Sequence, residues 1–514
     1  MLSEYNSILI ESEESKAKNP NRTFHLNLTP INLLNTQENK IKFFNKEIIN
    51  LKNFIISLTI CLLFIFSFLV FIDFYKKKNS NSEDKTFISY VSENKEKSNI
   101  IDLKFNCKDP NIPVQLFNST SQIQNHIKSL KIGGKEENIT NVFNFGFGGK
   151  YKVSIQLKDK ITSLKNLFSG CGELIIANFE NFDSDEVSDM GGLFEGCLRL
   201  KIVEFGDFNT KKVINMENMF KGCKSLKNLN VSVFDTSNVQ YMNGMFSECV
   251  EFYQLDLSNF NTKNVIRMDN MFGGCNYLYI LNMSSFDTSN VHNMSKMFYK
   301  CYNLPSLNIS HFKTSKVTNM ESIFDNCRKI ITLNLSLWET SLVTSFRSMF
   351  NGCTKLSNVS MDIFDTSNVV DMDSMFLRCL NMTYINIRHF KTSKVVNMGN
   401  MFNGCEILTS LDVSSFDTSN VMNMSGMFCS DFSLRSLNLS NFRTRKVERM
   451  DFIFNHNLML TSLDISNFDT INVDIKNNFF NGISKKGQIY LNSDKISNGI
   501  LKQLPRGWEF IEKQ

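Results

Sequence analysis

Hydrophobic side chains recur along residues 161–483 of this chain with a fixed 26-residue period. One position of the pattern is phenylalanine in every unit, and no insertion or deletion interrupts it over thirteen units. These phenylalanines are Phe168, Phe194, Phe220, Phe246, Phe272, Phe298, Phe324, Phe350, Phe376, Phe402, Phe428, Phe454 and Phe480. A period of roughly 20 to 50 residues indicates a solenoid, in which each unit buries its apolar face against its neighbours. We therefore expect equivalent apolar positions to line up as inward-pointing columns.

Each unit divides into three parts by its pattern. In one representative unit, the apolar residues between 213 and 223 fall at helical spacing and predict a short helix. Residues 229–232 alternate between apolar and polar side chains, which predicts a strand. The Asp-Thr-Ser-Asn sequence at 235–238 is typical of a turn, where such side chains bond to nearby backbone and start the next helix.

A column of cysteines follows the phenylalanines by three residues. Its members are Cys171, Cys197, Cys223, Cys249, Cys275, Cys301, Cys327, Cys353, Cys379 and Cys405. We interpret them as a structural ladder of buried thiols that act as small hydrophobic groups. Neighbouring Cα atoms are close enough for disulfides, but parallel side chains would distort the stack on bonding. Zinc is not expected, because no CxxC or Cys/His cluster occurs.

Methionine fills two further columns, those of Met216 and Met219. These columns hold ten and eight methionines, out of 24 in the chain. We interpret them as core residues that fill irregular gaps. A copper or sulfur-ligand site is the alternative, but almost every unit has the same residues and no local cluster forms.

The repeated sequence resembles the BspA-type leucine-rich repeat. The resemblance is carried by Phe-Asp-Thr-Ser-Asn-Val at 234–239, by Met242, by Met-Phe at 245–246, by Cys249, and by Leu-Asp-Leu-Ser at 255–258. The family is described as a domain of unknown function in surface proteins of bacteria and parasitic protists. The resemblance implies a strand-rich solenoid at the cell surface, with a role in adhesion or host contact and no catalysis.

The predicted fold is an α/β repeat solenoid, a leucine-rich-repeat-like stack of parallel strands and short helices. A small N-terminal β cap and a single transmembrane helix accompany it. The expected segments are a polar, largely disordered tail at 1–53, a transmembrane helix at 54–75, a stalk at 76–100, a β-rich capping unit at 101–160, the solenoid at 161–484 and a C-terminal cap at 485–514.

The sequence makes specific predictions for both caps. In the N-terminal unit, the glycines at 148–149 are predicted to turn a hairpin between strands at 142–147 and 151–157. This unit would cover the open edge of the solenoid sheet. In the C-terminal cap, Trp508 and Phe510 are predicted to pack against the last repeat.

The membrane prediction depends on residues 54–72, which carry no charged side chain from end to end. A segment of that length spans a hydrocarbon core of roughly 30 Å as a helix. The flanking lysines do not decide the orientation, because four lie on each side,. An extracellular repeat domain is therefore an expectation from the family resemblance alone.

Composition and motifs exclude several classes of function. The net charge is +5 and 21% of residues are charged, so no strong field favours nucleic acid,. The six histidines are scattered, and no phosphate loop or nucleophile–base constellation is present,. We expect no enzyme activity, no cofactor and no metal site.

The candidate partner-facing surface is a polar column on the predicted strands. Its members are Asn230, Asp256, Asn282, Asn308, Asn334, Asn386, Asp412 and Asn438. The neighbouring outward column is mostly serine, broken by Asp362 and Arg388. The residues at one equivalent turn position differ in charge from unit to unit. We expect that Lys313, Lys391 and Arg443 in this column help to determine which partner binds. A solvated face with no specific partner is the alternative.

The sequence thus predicts a membrane-anchored surface protein whose solenoid recognises a protein or glycan on another cell or in the host. The membrane is contacted through 54–72, and no nucleic acid is bound. The alternative is a membrane-anchored scaffold that faces the cytosol and binds other proteins.

Overall fold

The structure is a computed structural model that describes residues 97–471, 473 and 478–513. The predicted tail at 1–53, the transmembrane helix at 54–75 and most of the stalk lie outside these residues. Among the residues that are described, no helix combines the length and apolar character needed to cross a bilayer.

The described elements are mostly short strands. They are β1 (Ile100–Cys107), β2 (Val114–Gln115), β3 (Ile127–Ile132), β4 (Lys135–Glu137), β5 (Val142–Phe143), β6 (Gly149–Leu157), β7 (Leu174–Asn178), β8 (Ile202–Glu204), β9 (Gln254–Asp256), β10 (Ile280–Asn282), β11 (Thr332–Asn334), β12 (Asn358–Ser360), β13 (Ser436–Asn438), β14 (Ser462–Asp464), β15 (Gly487–Leu491) and β16 (Trp508–Glu512). Short 3₁₀ segments span Gln122–His126 and Ser493–Lys495, and the single-turn helix α1 spans Asn498–Leu501.

The repeat array is a solenoid of parallel strands, with one strand position in each turn. In β9 and β10, Leu255 lies opposite Leu281 and Asp256 opposite Asn282. The register offset is therefore one repeat, as equal units require. Leu255 is buried, while the residues on either side of it in β9 are exposed, which is the alternation of a half-buried strand.

The predicted short helices are wrong. Within the described part of the array, the segments that carry the Met, Phe and Cys columns form successive tight turns and no helix. Their backbone bonds run between units: the N–H groups of Met216, Asn218 and Phe220 donate to carbonyls of the following unit, at 2.9 Å each. An α-helix keeps these bonds within one segment.

Two left-handed residues in each turn explain this outcome. Asn218 has φ of 53° and Gly222 has φ of 74°, and equivalent positions in other turns also have positive φ. A residue in this region reverses the direction of the peptide and stops a right-handed helix. The apolar spacing alone cannot separate the two structures, because residues three and four apart point inward in both.

The apolar columns do line up as one continuous core. The phenylalanine rings stack on one another along the array; Phe298 and Phe324, for example, have centroids 5.8 Å apart and planes 1° apart. The Met and Cys columns are buried with them. Each turn thus covers the apolar surface of its neighbours, which is what stabilises a solenoid.

A buried threonine ladder runs beside this core. The hydroxyl of Thr262 donates to the carbonyl of Asp287 at 2.9 Å and accepts from the N–H of the same residue at 2.8 Å. Thr366 bonds to Lys391 in the same two ways. The hydroxyl therefore bridges consecutive turns of the solenoid, whereas the sequence pattern predicted a local turn contact.

The N-terminal unit continues the solenoid sheet with antiparallel strands. Its sheet has the order β4-β3-β6-β1-β7-β8, and β1 pairs antiparallel with β7, the first strand of the array. The cap therefore covers the edge of β7, as predicted. The predicted hairpin at 148–149 is wrong, because β5 pairs with β2 and β6 pairs with β1 and β3. The tight hairpin joins β3 to β4 through Gly133 and Gly134, both with positive φ.

At the other end, β15 and β16 extend the parallel sheet beyond β14. The indole N–H of Trp508 donates to the carbonyl of Ser484 at 2.8 Å, which anchors this residue as expected. Phe510 is not an anchor, because 46% of its surface is exposed. Ile489 and Ile500 are buried instead.

Candidate recognition surface

The eight polar residues of the predicted strand column all lie at the surface, exposed or half-buried. Most of their side-chain oxygens are engaged locally. The Asp256 carboxylate accepts the N–H of Ser258 at 3.0 Å, and Asn334 accepts that of Ser336 at 3.1 Å. One oxygen of each therefore fixes the backbone after the strand, and the remaining polar atoms face solvent.

The column departs from this pattern around Arg388. The guanidinium Nε of Arg388 lies 2.7 Å from a carboxylate oxygen of Asp412, and Asn386 donates to Asp362 at 2.8 Å. Asp412 and Asn438 line a groove of about 390 Å³ together with Arg388 and Tyr384. This groove, which we call the Arg388 groove, is the place where the predicted column forms a concave polar surface.

The charged turn residues interact along the stack. Lys391 lies 4.0 Å from Asp365 of the preceding turn. The pKa of Asp287 is lowered by hydrogen bonds from Ser289 and, less strongly, by the charge of Lys313. Exposed pairs of this kind contribute little to stability. Lys313, Lys391 and Arg443 are all exposed. That these three residues determine which partner binds stays a prediction.

The structure brings no metal-binding cluster together among the residues it describes. His311 and His389 occupy equivalent positions three repeats apart. Each ring lies edge-on against the next phenylalanine, with centroids 5.2 and 5.1 Å apart. Their Nε2 atoms are buried without a hydrogen-bond partner.

The cysteine column is buried along its whole length, and its sulfurs bond to backbone. Cys275 donates to the carbonyl of Phe246 at 3.1 Å, and the other members from Cys197 to Cys405 repeat this contact 29 residues back. Burial raises the pKa of Cys275 to about 12. The thiolate is the reactive form of cysteine, so these residues are chemically inert in the folded protein.

Asp431 stands where the next cysteine of the column would be. Its side chain is fully buried; one carboxyl oxygen accepts the N–H of Cys405 at 2.9 Å, and the other has no partner. Burial raises its pKa well above the ordinary value. One turn later, the Asn457 amide donates to the carbonyl of Phe428 at 2.8 Å. The column thus carries a hydrogen-bond donor on both sides of Asp431.

Tyrosines are concentrated in three consecutive turns of the array. Of the 12 in the chain, five lie between residues 253 and 302. Tyr253 and Tyr279 are stacked, with centroids 5.5 Å apart and planes 7° apart. They are 48% and 47% exposed, and Tyr277 is 62% exposed. We call these three residues the tyrosine patch.

A depression of about 640 Å³ lies in the same turns. Its centre is formed by Gly273 and Gly274, where the next turn carries Tyr299 and Lys300. A Cβ at Gly273 would clash with Oδ1 of Asn270, and Gly274 has φ of 80°. We call this depression, with its walls, the glycine notch.

The sequence pattern pointed to the strand column and missed both of these features. The usable signal was the departure from the repeat: tyrosine in columns that elsewhere hold mostly polar residues such as Lys, Ser, Thr or Asn, and two consecutive glycines in one unit. Repetition marks the residues that build the solenoid, so residues that break it locally are better candidates for recognition.

Comparison with known proteins gives a family but no function. A family profile described as "Mycoplasma protein of unknown function, DUF285" matches residues 162–280, 253–357, 275–384, 329–411 and 407–494. These matches together cover more than half of the chain. No match was found among curated protein sequences.

Among solved structures, one similar chain is that of "Crystal structure of TLR13-ssRNA13 complex". It is 14% identical, with a TM-score of 0.17; the alignment covers 60% of this chain and 61% of that one, less than two thirds of its length. A likeness at this level supports no statement about ligands. The match to a repeat family confirms the repeat prediction, and the narrower BspA-type assignment stays a prediction.

Proposed function

The chain belongs to the DUF285 family of repeat proteins, and from this premise and its surface we propose that it is a recognition protein of the cell surface. In this proposal, residues 54–72 anchor it in a membrane, and the solenoid meets a protein or glycan on another cell or in the host. The protein acts by binding and carries out no reaction.

One observation carries the proposal: the interior is the same from turn to turn, while the surface is not. The stacked phenylalanines and the cysteine ladder repeat without change over most of the array. The outward residues instead differ locally, at the Arg388 groove and at the tyrosine patch. A rigid frame with local surface variation is suited to binding macromolecules.

Topology separates the proposal from its alternative, a scaffold that faces the cytosol. Cells that express the full-length protein with an epitope tag after Gln514 would be treated with protease while intact. Loss of the repeat domain supports surface placement. Protection in intact cells, with digestion after permeabilisation, supports the cytosolic scaffold and removes adhesion from the proposal.

A second experiment tests whether the Arg388 groove takes part in binding. The full-length protein carrying Arg388→Glu would be compared with wild type for attachment to candidate host cells. We expect at least a tenfold loss, because the reversed charge repels Asp412 and alters the groove. Lys201→Glu is the charge-matched control, because Lys201 is also exposed but lies in a distant turn. Equal loss in both variants would indicate non-specific charge attraction.

A further inference from the structure

We propose that the tyrosine patch and the glycine notch together form a binding site for a neutral oligosaccharide. The inference rests on the proposed recognition function and gives it a location and a ligand class. It is drawn from three observations on neighbouring turns: exposed tyrosine rings, a depression that adjoins them along the chain, and walls whose charges balance.

The tyrosine patch supplies an exposed aromatic surface that includes the edges and outer faces of a stacked pair of rings. Tyr253 and Tyr279 are held parallel by the one-repeat register between β9 and β10, since the N–H of Tyr279 donates to the carbonyl of Tyr253 at 2.9 Å. About half of each ring remains accessible. Tyrosine offers a rigid apolar face with a polar hydroxyl at its tip. That combination matches a sugar ring, which has apolar C–H faces and a hydroxyl rim.

The other two tyrosines of the cluster are already occupied on one side. The ammonium of Lys300 lies 4.8 Å from the ring centroid of Tyr299, and the guanidinium of Arg328 lies 4.4 Å from that of Tyr302. These cation–π contacts fix the two rings. Tyr299 therefore serves as a wall of the notch, and the stacking surface is the tyrosine patch.

The glycine notch adjoins the patch along the chain. Asn276 lines the notch, and Tyr277 is the next residue. Gly273 and Gly274 line a recess between the neighbouring turns, which carry Ser247 on one side and Tyr299 on the other. The recess and the patch thus share one stretch of chain, and in this proposal one extended ligand contacts both.

The charges of the notch favour an uncharged, hydroxyl-rich ligand. Its walls hold three lysines, Lys224, Lys296 and Lys300, and three carboxylates, Glu248, Glu321 and Asp325, so the formal charges cancel. The lining therefore holds both hydrogen-bond donors and hydrogen-bond acceptors. A hydroxyl group both donates and accepts hydrogen bonds, so a ring bearing several hydroxyls can satisfy such a wall from many orientations.

A protein partner fits the notch less well. Energetically dominant contacts between proteins are usually aromatic or arginine side chains in well-packed pockets that exclude water. The notch is polar, and Val250 is the only aliphatic residue among those that line it. An inserted protein side chain would meet charged walls that keep their hydration.

The test uses full-length protein on an array of neutral and anionic oligosaccharides, followed by calorimetric titration with the best-bound neutral glycan. The patch variant is Tyr253→Ser/Tyr277→Ser/Tyr279→Ser, and the notch variant is Val250→Trp, which fills the recess. Phe147→Ser is the matched control, because Phe147 is also an exposed aromatic residue (78%) but lies in the N-terminal cap. Thermal unfolding confirms that each variant is folded.

We expect wild type and the control to bind a neutral glycan equally, and the patch and notch variants to bind at least tenfold more weakly. Because the ligand is uncharged, raising the salt from 0.05 to 0.5 M should change the affinity less than twofold. Absence of binding to any neutral glycan, or equal binding by all variants, overturns the inference. Capture of a protein through the patch overturns the glycan assignment but leaves the recognition function standing.

Failure of the glycan site is distinguishable from failure of the proposed function. If the Arg388→Glu variant loses host-cell attachment while the patch variant keeps it, recognition occurs at the Arg388 groove and the glycan site is refuted. If wild type attaches to no host cell and the repeat domain is protected in intact cells, the surface function itself fails.

Discussion

Single residues that break a column show what the column requires. In most turns, a cysteine thiol donates a hydrogen bond to a phenylalanine carbonyl of the preceding turn. An ionised carboxylate cannot donate, so Asp431 in the same column fits only as the neutral acid. Its partnerless oxygen would then carry the proton.

Replacing Asp431 should remove a pH-dependent contribution to the free energy of unfolding. Burial raises the pKa of Asp431 in the folded state, so the folded protein binds this proton more tightly than the unfolded chain. The stabilisation is complete below the unfolded pKa of about 3.9 and is lost as pH rises through the folded pKa. Asp431→Asn should therefore be more stable than wild type at pH 8, by about 1–3 kcal/mol.

Urea unfolding of the two proteins at pH 5 and pH 8 measures this difference. The gap between variant and wild type should widen at the higher pH. Asp256→Asn, at an exposed site, controls for the substitution itself. A gap that stays constant between the two pH values would show that Asp431 is already ionised in the folded protein at pH 5, so that its pKa is not raised.

Phe452 is the other exceptional residue. It has φ of 61° at a position where other turns use Asn, Gly, Ser or Lys. A left-handed conformation costs an L-residue about 1–2 kcal/mol, and asparagine adopts it more readily than a bulky residue. Phe452→Asn should raise the free energy of unfolding by about 1 kcal/mol, measured by urea denaturation. Phe452→Ala loses the ring without gaining asparagine's preference, so equal stabilisation by both would contradict the backbone explanation.

At the scale of the element, the sequence predicted the strands and the interior but not the turns between them. The spacing of Met216, Met219 and Phe220 correctly identified inward residues. It could not reveal the left-handed residues, because Asn, Ser, Lys and Gly share that position and only glycine signals positive φ by itself. The hairpin prediction in the N-terminal cap was wrong for a related reason. This unit contains two glycine pairs, and which strands pair with each other depends on the whole sheet.

The candidate site was predictable only in part. The strand column lies at the surface, exposed or half-buried, but most of its side-chain oxygens accept hydrogen bonds from nearby backbone. The tyrosine patch depends on residues from consecutive turns that become neighbours only through the one-repeat register. Once that register is accepted, the sequence alone places Tyr253 beside Tyr279.

The threonine ladder should contribute measurably to stability. Thr262→Val keeps the shape of the side chain but leaves the partly buried N–H of Asp287 without its partner. We expect a loss of about 1–3 kcal/mol in the free energy of unfolding. Thr262→Ser retains the hydroxyl and is the matched control. A serine variant as unstable as the valine variant would assign the effect to packing and not to the hydrogen bonds.

At the scale of the molecule, the solenoid should tolerate the deletion of one complete repeat unit but not of part of one. Deleting residues 340–365 removes one whole unit and joins Glu339 to Thr366, so every column continues across the junction. Deleting 340–364 stops one position short and shifts all later columns. We expect the first variant to unfold cooperatively, and the second to lose the fold beyond the junction, because its apolar residues face the wrong way.

Circular dichroism during urea unfolding distinguishes the two deletions. The whole-unit deletion should keep a single sharp transition near that of wild type. A similar transition for the shorter deletion would refute the strict dependence on equal units.

The backbone bonds of the array join successive turns, and this has a mechanical consequence. Tension applied to the two ends of the chain would load the bonds of the outermost turn first and peel turns away one at a time. Each release would free one unit, which spans about 90 Å when extended. A tether built in this way lengthens in steps under shear, so a strained attachment yields gradually before it breaks.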